Sequence, residues 1–217
     1  MHGGRGPRAS PDPVIPMEAL RQARGTPERL LHPLRRAAVL RRLRRRPPPG
    51  IVLFVCHGNV CRSPYAAALL RRLLPSFLPG AVRVESAGFV GPGRPCPRWA
   101  VEVAAERGLD LSRHQSRLLT PLEVQSAELV VVMDSMQRRL LRMLFGGDGV
   151  VLGDLDPARI ERREIEDPVE QAKEAFERSY SRIDRCVRAL VEAVAAGAAR
   201  RTSTLGVESV SHVEIGT

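Results

Sequence analysis

The chain has 217 residues, 43% hydrophobic and 27% charged, an ordinary globular balance with room for one domain and extensions. No apolar run approaches the ~18 residues of a membrane span, and the arginine-rich start leads into no secretory apolar segment, so a transmembrane or exported class is not expected. The net charge of +10 sits at one end: residues 1–49 hold twelve arginines against Asp12, Glu18 and Glu28, a net of +9, which leaves +1 for all the rest.

The first 16 residues are rich in Gly and Pro and read as disordered. From Pro27 to Arg46 the pattern changes, with Leu30, Leu31, Leu34, Ala38 and Leu43 set among Arg29, Arg35, Arg36, Arg41, Arg42 and Arg44 to Arg46. This predicts a basic, partly amphipathic helix ended by Pro47, Pro48 and Pro49. Residues 1–49 thus form a basic N-terminal extension, and its segment 27–46 is suited to an anionic surface, nucleic acid or an acidic partner. A solvated helix resting on the domain is an equal reading of the same pattern.

Ile51 to Val55 is a short apolar, β-branched run that predicts a buried parallel strand ending at Cys56. Gly58 and Asn59 both tolerate positive φ, so the amides of His57, Gly58, Asn59, Val60, Cys61, Arg62 and Ser63 can turn toward one point. Ser63 and Pro64 suit the N-cap and first turn of a helix carrying Ala66, Ala67, Leu69, Leu70 and Leu73. Convergent N–H groups, a helix N-terminus and Arg62 make a phosphate-type oxyanion site. The same field favours the thiolate of Cys56 over a thiol whose free pKa is roughly 8.5.

With four cysteines and 33 arginines, a Cys followed six positions on by Arg is expected ~0.6 times by chance, so the bare spacing carries nothing. Requiring Gly58, Ser63 and the chain's one asparagine, Asn59, lowers the expectation to ~10⁻⁵. Downstream, strands are predicted near 82–86, 128–133 and 150–152, with helices near 64–74, 97–107, 135–145 and 168–197. Their alternation predicts a doubly wound α/β unit with the site at the strand carboxyl ends. From Ala198 the polar, Ser- and Thr-bearing stretch to residue 217 reads as a flexible tail.

Cys56-His57-Gly58-Asn59-Val60-Cys61-Arg62-Ser63-Pro64 resembles the active-site loop of the low-molecular-weight protein tyrosine phosphatases, a fold shared with thioredoxin-coupled arsenate reductases. Ser86-Ala87-Gly88, Glu106 to Ser112 leading to His114-Gln115-Ser116-Arg117, Val131-Val132-Met133-Asp134 and Glu166-Asp167-Pro168 resemble further family landmarks, in the family's order. The resemblance spans about residues 50–197 and implies a three-layer domain there, with a four-stranded parallel sheet of order 2-1-3-4 and helices on both faces. It also implies a cytoplasmic hydrolase that needs no cofactor or metal and dephosphorylates tyrosine-phosphorylated proteins through a phosphocysteine intermediate. Unpaired cysteines agree with a reducing compartment.

In that chemistry the Cys56 thiolate attacks phosphorus while Arg62 and the loop amides hold the equatorial oxygens. The resemblance gives the general acid as Asp167, has Ser63 hydrogen-bond the Cys56 sulfur, and pairs His114 with Asn59. Asp-Pro occurs at Asp12, Asp156 and Asp167, and by itself it reads as a helix N-cap followed by N1. Asp167 is favoured because Val169, Ala172, Phe176, Tyr180, Ile183, Val187, Leu190 and Val194 follow at helical spacing; Asp156 is the fallback.

Where the family usually has an aromatic after Asp-Pro this chain has Val169, so rim contacts to an aryl group fall to Phe89, Trp99 or His57, the first two also reading as packing residues. Cys61 reads either as a small buried side chain or as the partner of a reversible disulfide with Cys56. Cys96 and Cys186 have no partner at recognisable spacing, and no Cys-x-x-Cys pair or histidine cluster suggests a metal. Arsenate reduction and a non-catalytic phosphate-binding module that carries the basic extension are the alternatives.

Overall fold

The computed structural model describes residues 17–74 and 82–208, with side chains described for 28–74 and 82–200. The first 16 residues, read above as disordered, lie outside that range. The elements in chain order are α1 (Met17–Arg45), β1 (Ile51–Cys56), α2 (Arg62–Leu73), β2 (Arg83–Gly88), α3 (Arg98–Glu106), α4 (Pro121–Ser126), β3 (Leu129–Val132), α5 (Ser135–Phe145), β4 (Val150–Val151), a 3₁₀ turn (Leu152–Leu155) and α6 (Lys173–Glu208).

The four strands form one sheet of order β2-β1-β3-β4, parallel throughout. Side chains of a strand alternate between its two faces, and here both faces are covered. Val52, Phe54 and Cys56 of β1, with Leu129 and Val131 of β3, enter a core shared with α2, α3 and α6. Leu53, Val55, Val130 and Val132 enter the opposite core under α4 and α5. That two-sided burial is why β1 and β3 read as continuous apolar runs, and it places the turn after β1 at the sheet's carboxyl edge.

Four expectations shift. Helix α1 begins at Met17, ten residues before Pro27, because Met17 to Ala23 is rich in good helix formers. It rests on α6 and the 3₁₀ turn through His32, Leu40 and Leu43. A Cβ on Gly197 of α6 would stand 2.9 Å from the Arg46 carbonyl oxygen, so a glycine there permits the close approach of the two helices. Helix α6 runs past Ala198 to Glu208, so the first part of the expected flexible tail is helical, while 209–217 lie outside the described residues. It starts at Lys173 instead of Pro168, because Gln171 N–H closes a turn on the Pro168 carbonyl (3.0 Å) with Glu170 at φ 61°. Helix α4 was not expected: it is short, and its signal is the Thr120–Glu123 capping box with Pro121 at its start.

Candidate active site

The β1 strand ends in the sulfur of Cys56, and the chain then wraps back over that sulfur before α2 begins. The turn is made by Asn59 at φ 52°, not by Gly58, which has no positive φ. Gly58 serves a different purpose. A Cβ there would meet the Arg94 guanidinium at 2.7 Å, and the Gly58 carbonyl accepts a hydrogen bond from that same group (3.1 Å).

Asn59 is fully buried, and its partners dictate the loop's shape. Arg117 N–H donates to Asn59 Oδ1 (3.1 Å), and since a backbone amide can only donate, this fixes which end of the side-chain amide is oxygen. The Nδ2 end then donates to Ser63 Oγ (2.8 Å) and to Ser86 Oγ (3.0 Å). His114 Nε2 lies 2.8 Å from the Asn59 carbonyl, so the partnership with His114 runs through the backbone, with the ring donating. Burial first, then the charges of Arg71 and Arg117, push the His114 pKa below its ordinary value, against the carbonyl's pull, so the ring is neutral near pH 7.

This orders the protons around Cys56. Ser63 Oγ already accepts from Asn59, so its own hydrogen goes to Cys56 Sγ at 3.0 Å in preference to the Ala87 carbonyl at 3.5 Å. Asn59 N–H is the second donor, 3.2 Å from the sulfur. Two donors converging on one sulfur is the arrangement a thiolate accepts. Ser63 is free for this because it lies inside α2, not at its cap: the helix starts at Arg62 and the N-cap residue, Cys61, makes no side-chain cap bond. Pro64 costs nothing within the first turn, where N–H groups lack helical partners anyway.

Gly88 is the residue that lets the loop lie down. A Cβ on it would stand 2.8 Å from Asn59 N and 2.9 Å from both the Gly58 carbonyl carbon and the His57 oxygen, all backbone atoms. From behind, Tyr180 OH donates to the Cys61 carbonyl (3.3 Å), and its ring stacks on Tyr65 with centroids 3.7 Å apart.

Arg62 is 3% exposed and sits between the loop and three acceptors. One terminal nitrogen donates to the Ile165 carbonyl (3.1 Å) and lies 3.9 Å from Asp134; the other donates to the Asp167 carboxylate. Its Nε is buried with no partner in the protein. A buried donor without an acceptor is costly, and an oxyanion in the loop is the group that would satisfy it. Asp134, whose other carboxylate oxygen caps α5 through Gln137 N–H (2.7 Å), is a site residue that sequence reasoning used only as a landmark.

The two candidate acids part company. Asp167 is half-buried on the loop before α6, where its carboxylate reaches Arg62 and accepts weakly from Val169 N–H (3.4 Å). It caps no helix. Asp156 is fully buried, with Arg182 Nε at 3.1 Å, Arg185 Nε and Nη2 at 2.9 Å and Ala158 N–H at 3.1 Å. Burial alone would raise its pKa, but the Arg185 and Ala158 hydrogen bonds with the Arg185 and Arg182 charges outweigh it and hold the carboxyl below the usual range. It is placed as a brace for Arg182 and Arg185, whereas Asp167 is the carboxylate that reaches Arg62 of the loop.

Of the rim candidates, Phe89 packs on the α5 side of the sheet, 6.3 Å from Phe145, and Trp99 packs on the main core between Arg98 and Lys173. His57 is exposed on the loop itself, and Val169 packs on the core. All four cysteines are free and buried. Burial first, then the neighbouring Cys56, raises the pKa of Cys61 and pushes Cys96 up to about 12; burial, then Asp156, raises Cys186.

A donor-flanked sulfur, a turned-in arginine with one unmet N–H and a carboxylate facing it across the loop define a cysteine-dependent phosphoryl-transfer site on a doubly wound fold. Residues 51–200 match the family of the low molecular weight phosphotyrosine protein phosphatases, and the chain belongs to it. It is 38% identical over 149 residues to a probable low molecular weight protein-tyrosine-phosphatase, EpsP, of Ralstonia solanacearum, covering 67% of this chain and 96% of that one. Among solved structures, Vibrio vulnificus Wzb in complex with benzylphosphonate aligns at TM-score 0.56 and 31% identity, over 65% of this chain and 97% of that one. The YwlE arginine phosphatase of Geobacillus stearothermophilus aligns at TM-score 0.56 and 26% identity, over 76% and 99%.

Proposed function

We propose that this protein is a protein tyrosine phosphatase that hydrolyses phosphotyrosine through a phosphocysteine intermediate, with residues 50–197 as the catalytic domain and 1–49 as a basic extension. The observation that carries the reading is the pair of hydrogen bonds converging on Cys56 Sγ from Ser63 and Asn59, beside an Arg62 Nε left without a partner.

The phosphate binds in the Cys56–Ser63 loop, its oxygens taken by the loop amides and Arg62. The Cys56 thiolate attacks phosphorus in line; the P–O bond to the tyrosyl oxygen breaks, and Asp167 gives that oxygen its proton. Water then attacks the phosphocysteine, the Asp167 carboxylate takes the water's proton, and the S–P bond breaks to release inorganic phosphate. Ser63 stabilises the departing sulfur with the hydrogen bond it already makes. Asp134 and Ile165 hold Arg62 across both steps.

Arsenate reduction would need a relay of further thiolates able to reach Cys56, and burial pushes the pKa of Cys96 up to about 12 and raises that of Cys186. Cys61 suits a narrower part: were a peroxide to oxidise Cys56 to a sulfenic acid, its thiol would condense with that group, releasing water and forming a disulfide. Four free cysteines, one of them the nucleophile, support a cytoplasmic setting. No helix among the described residues is long and apolar enough to cross a membrane. The arginines of α1 supply an anion-binding face for which nucleic acid, anionic lipid and an acidic protein compete.

The test is the pH profile of aryl phosphate hydrolysis for wild type, Asp167→Asn and Asp156→Asn, with Cys56→Ser as the inactive reference. Asp167→Asn is expected to lower kcat by about 10²–10³-fold and to remove the limb set by the general acid. Asp156→Asn is expected to keep that limb while losing roughly 2–3 kcal/mol of stability, since Arg182 and Arg185 lose their buried acceptor. Full activity in Asp167→Asn would refute the assignment of the acid. Phosphotyrosine, phosphoserine and phosphoarginine peptides, compared by kcat/KM, test the substrate class.

A further inference from the structure

A groove of about 1040 Å³ runs along α1 where the helix meets the segment after the 3₁₀ turn, Pro157 to Glu161. Its α1 wall runs from Arg29 to Arg45, which at 1.5 Å per residue is about 24 Å, the length of about seven residues of extended chain. Arg41, Arg44, Arg45 and Arg159 line it, are exposed, and have no carboxylate partner among the described residues. Glu161 is its one acidic residue and is already taken by Arg29. Between the arginines the wall is apolar, with Leu30, Pro33, Ala37 and Leu40.

His32 lines the same groove, 5% exposed, and its Nδ1 has no hydrogen-bond partner. Its Nε2 lies 2.8 Å from the Asp156 carbonyl, an acceptor only, so that nitrogen donates there and Nδ1 is left without a partner. An occupant that brings both anions for the arginines and backbone hydrogen-bonding groups for the unpartnered His32 nitrogen is a peptide with acidic side chains. Nucleic acid would lack a stacking platform, since no aromatic residue lines the groove, and a bilayer surface cannot descend between two walls. The apolar stretch between the arginines suits a peptide's aliphatic side chains.

We propose that this groove binds an acidic, extended segment of the phosphoprotein substrate, an inference that rests on the phosphatase reading above. The connection to the active site is covalent and short. Glu161 on the groove wall and Asp167 at the catalytic loop are six residues apart on one segment, a reach of at most about 20 Å, and the intervening Ile165 carbonyl holds Arg62. A substrate with acidic residues flanking its phosphotyrosine would engage both at once, raising the local concentration of the phosphate at Cys56.

The test uses the full chain and a fluorescent eight-residue peptide alternating Glu with Leu or Ala and bearing no phosphate. By anisotropy it is expected to bind, to weaken severalfold between 50 and 200 mM salt, and to lose at least about tenfold affinity in Arg41→Glu/Arg44→Glu. The reversal Arg98→Glu/Arg139→Glu, equal in charge but elsewhere, should leave affinity within about twofold. With a phosphotyrosine peptide carrying the same acidic stretch, Arg41→Glu/Arg44→Glu should raise KM about tenfold at unchanged kcat, while turnover of a small aryl phosphate stays at the wild-type rate. Equal losses in both reversals, tighter binding of single-stranded DNA or anionic vesicles than of the peptide at the same salt, or peptide binding with no change in KM would each overturn the proposal. The anisotropy arm needs no turnover, so an inactive enzyme that still binds the peptide through these arginines would count against the phosphatase reading alone.

Discussion

Two regions of this molecule are built to meet anions, and they do so by opposite means. The catalytic loop has a single arginine, buried, with its terminal nitrogens fixed by Ile165, Asp134 and Asp167 and the loop around it set by Asn59. The α1 groove has many arginines, exposed, on one helix that supplies charge with little positioning. Charge alone selects anions; positioned donors select a geometry. That is why the groove, with five of the extension's twelve arginines, offers no chemistry, while the loop sits in a domain of near-zero net charge.

The same conservative substitution made in both regions separates these cases most sharply. Arg62→Lys keeps the charge but loses the planar fork, and is expected to lower kcat by about 10²–10³-fold, measured on an aryl phosphate. Arg44→Lys is expected to change acidic-peptide affinity by less than about twofold, since a point charge serves there equally well. Comparable losses at both positions would erase the distinction.

A smaller effect tests how far the loop's geometry depends on its support. Gly88→Ala places a methyl against the backbone of His57, Gly58 and Asn59, and is expected to lower kcat/KM about tenfold and stability by about 1–3 kcal/mol. Denaturation and steady-state kinetics on the same sample read both. Unchanged kinetics with lowered stability would mean that the loop yields without losing its catalytic form.

The smallest expected effect is a pH dependence specific to the loop. Folding lowers the His114 pKa from its ordinary value of 6.5, so between the folded value and 6.5 the unfolded chain binds more protons than the folded one. Stability from this group is therefore complete above pH 6.5 and is lost as pH falls below it. Urea midpoints compared between pH 7.5 and 5.5 should fall less in His114→Gln, whose amide still donates but does not titrate, than in wild type.

Much of this was legible in the chain. The apolar run 51–55 and the Gly58, Asn59 and Ser63 positions pointed to a strand-loop-helix oxyanion site, because strand burial and turn chemistry are local properties of residue type. Helix α5 was legible at both ends, since Asp134 caps it through a local hydrogen bond to Gln137. The misjudged points were those that depend on distant partners. By residue type alone Ser63 reads as a helix cap; its hydroxyl faces the sulfur, as the resemblance implied, because Asn59 and the fold of β1 onto β2 turn it inward. Asp156 and Asp167 carry the same dipeptide; the helical pattern after Asp167 favoured it, but the partners of each, Arg182 and Arg185 against Arg62, are set by tertiary contact.

The amino-acid sequence by itself determined that a thiol, an arginine and convergent amides share one short loop at a strand end, and that the net charge belongs to the extension. Only the tertiary structure decided that Asp156 is braced by Arg182 and Arg185 while Asp167 reaches Arg62, that Asn59 orients the Ser63 hydroxyl, and that the arginines of α1 line a groove against Pro157 to Glu161. The physical reason is that loop chemistry is set by residue types along the chain, whereas side-chain orientation, ion-pair partners and concave surfaces depend on how separate segments pack, up to the 105 positions between Arg62 and Asp167.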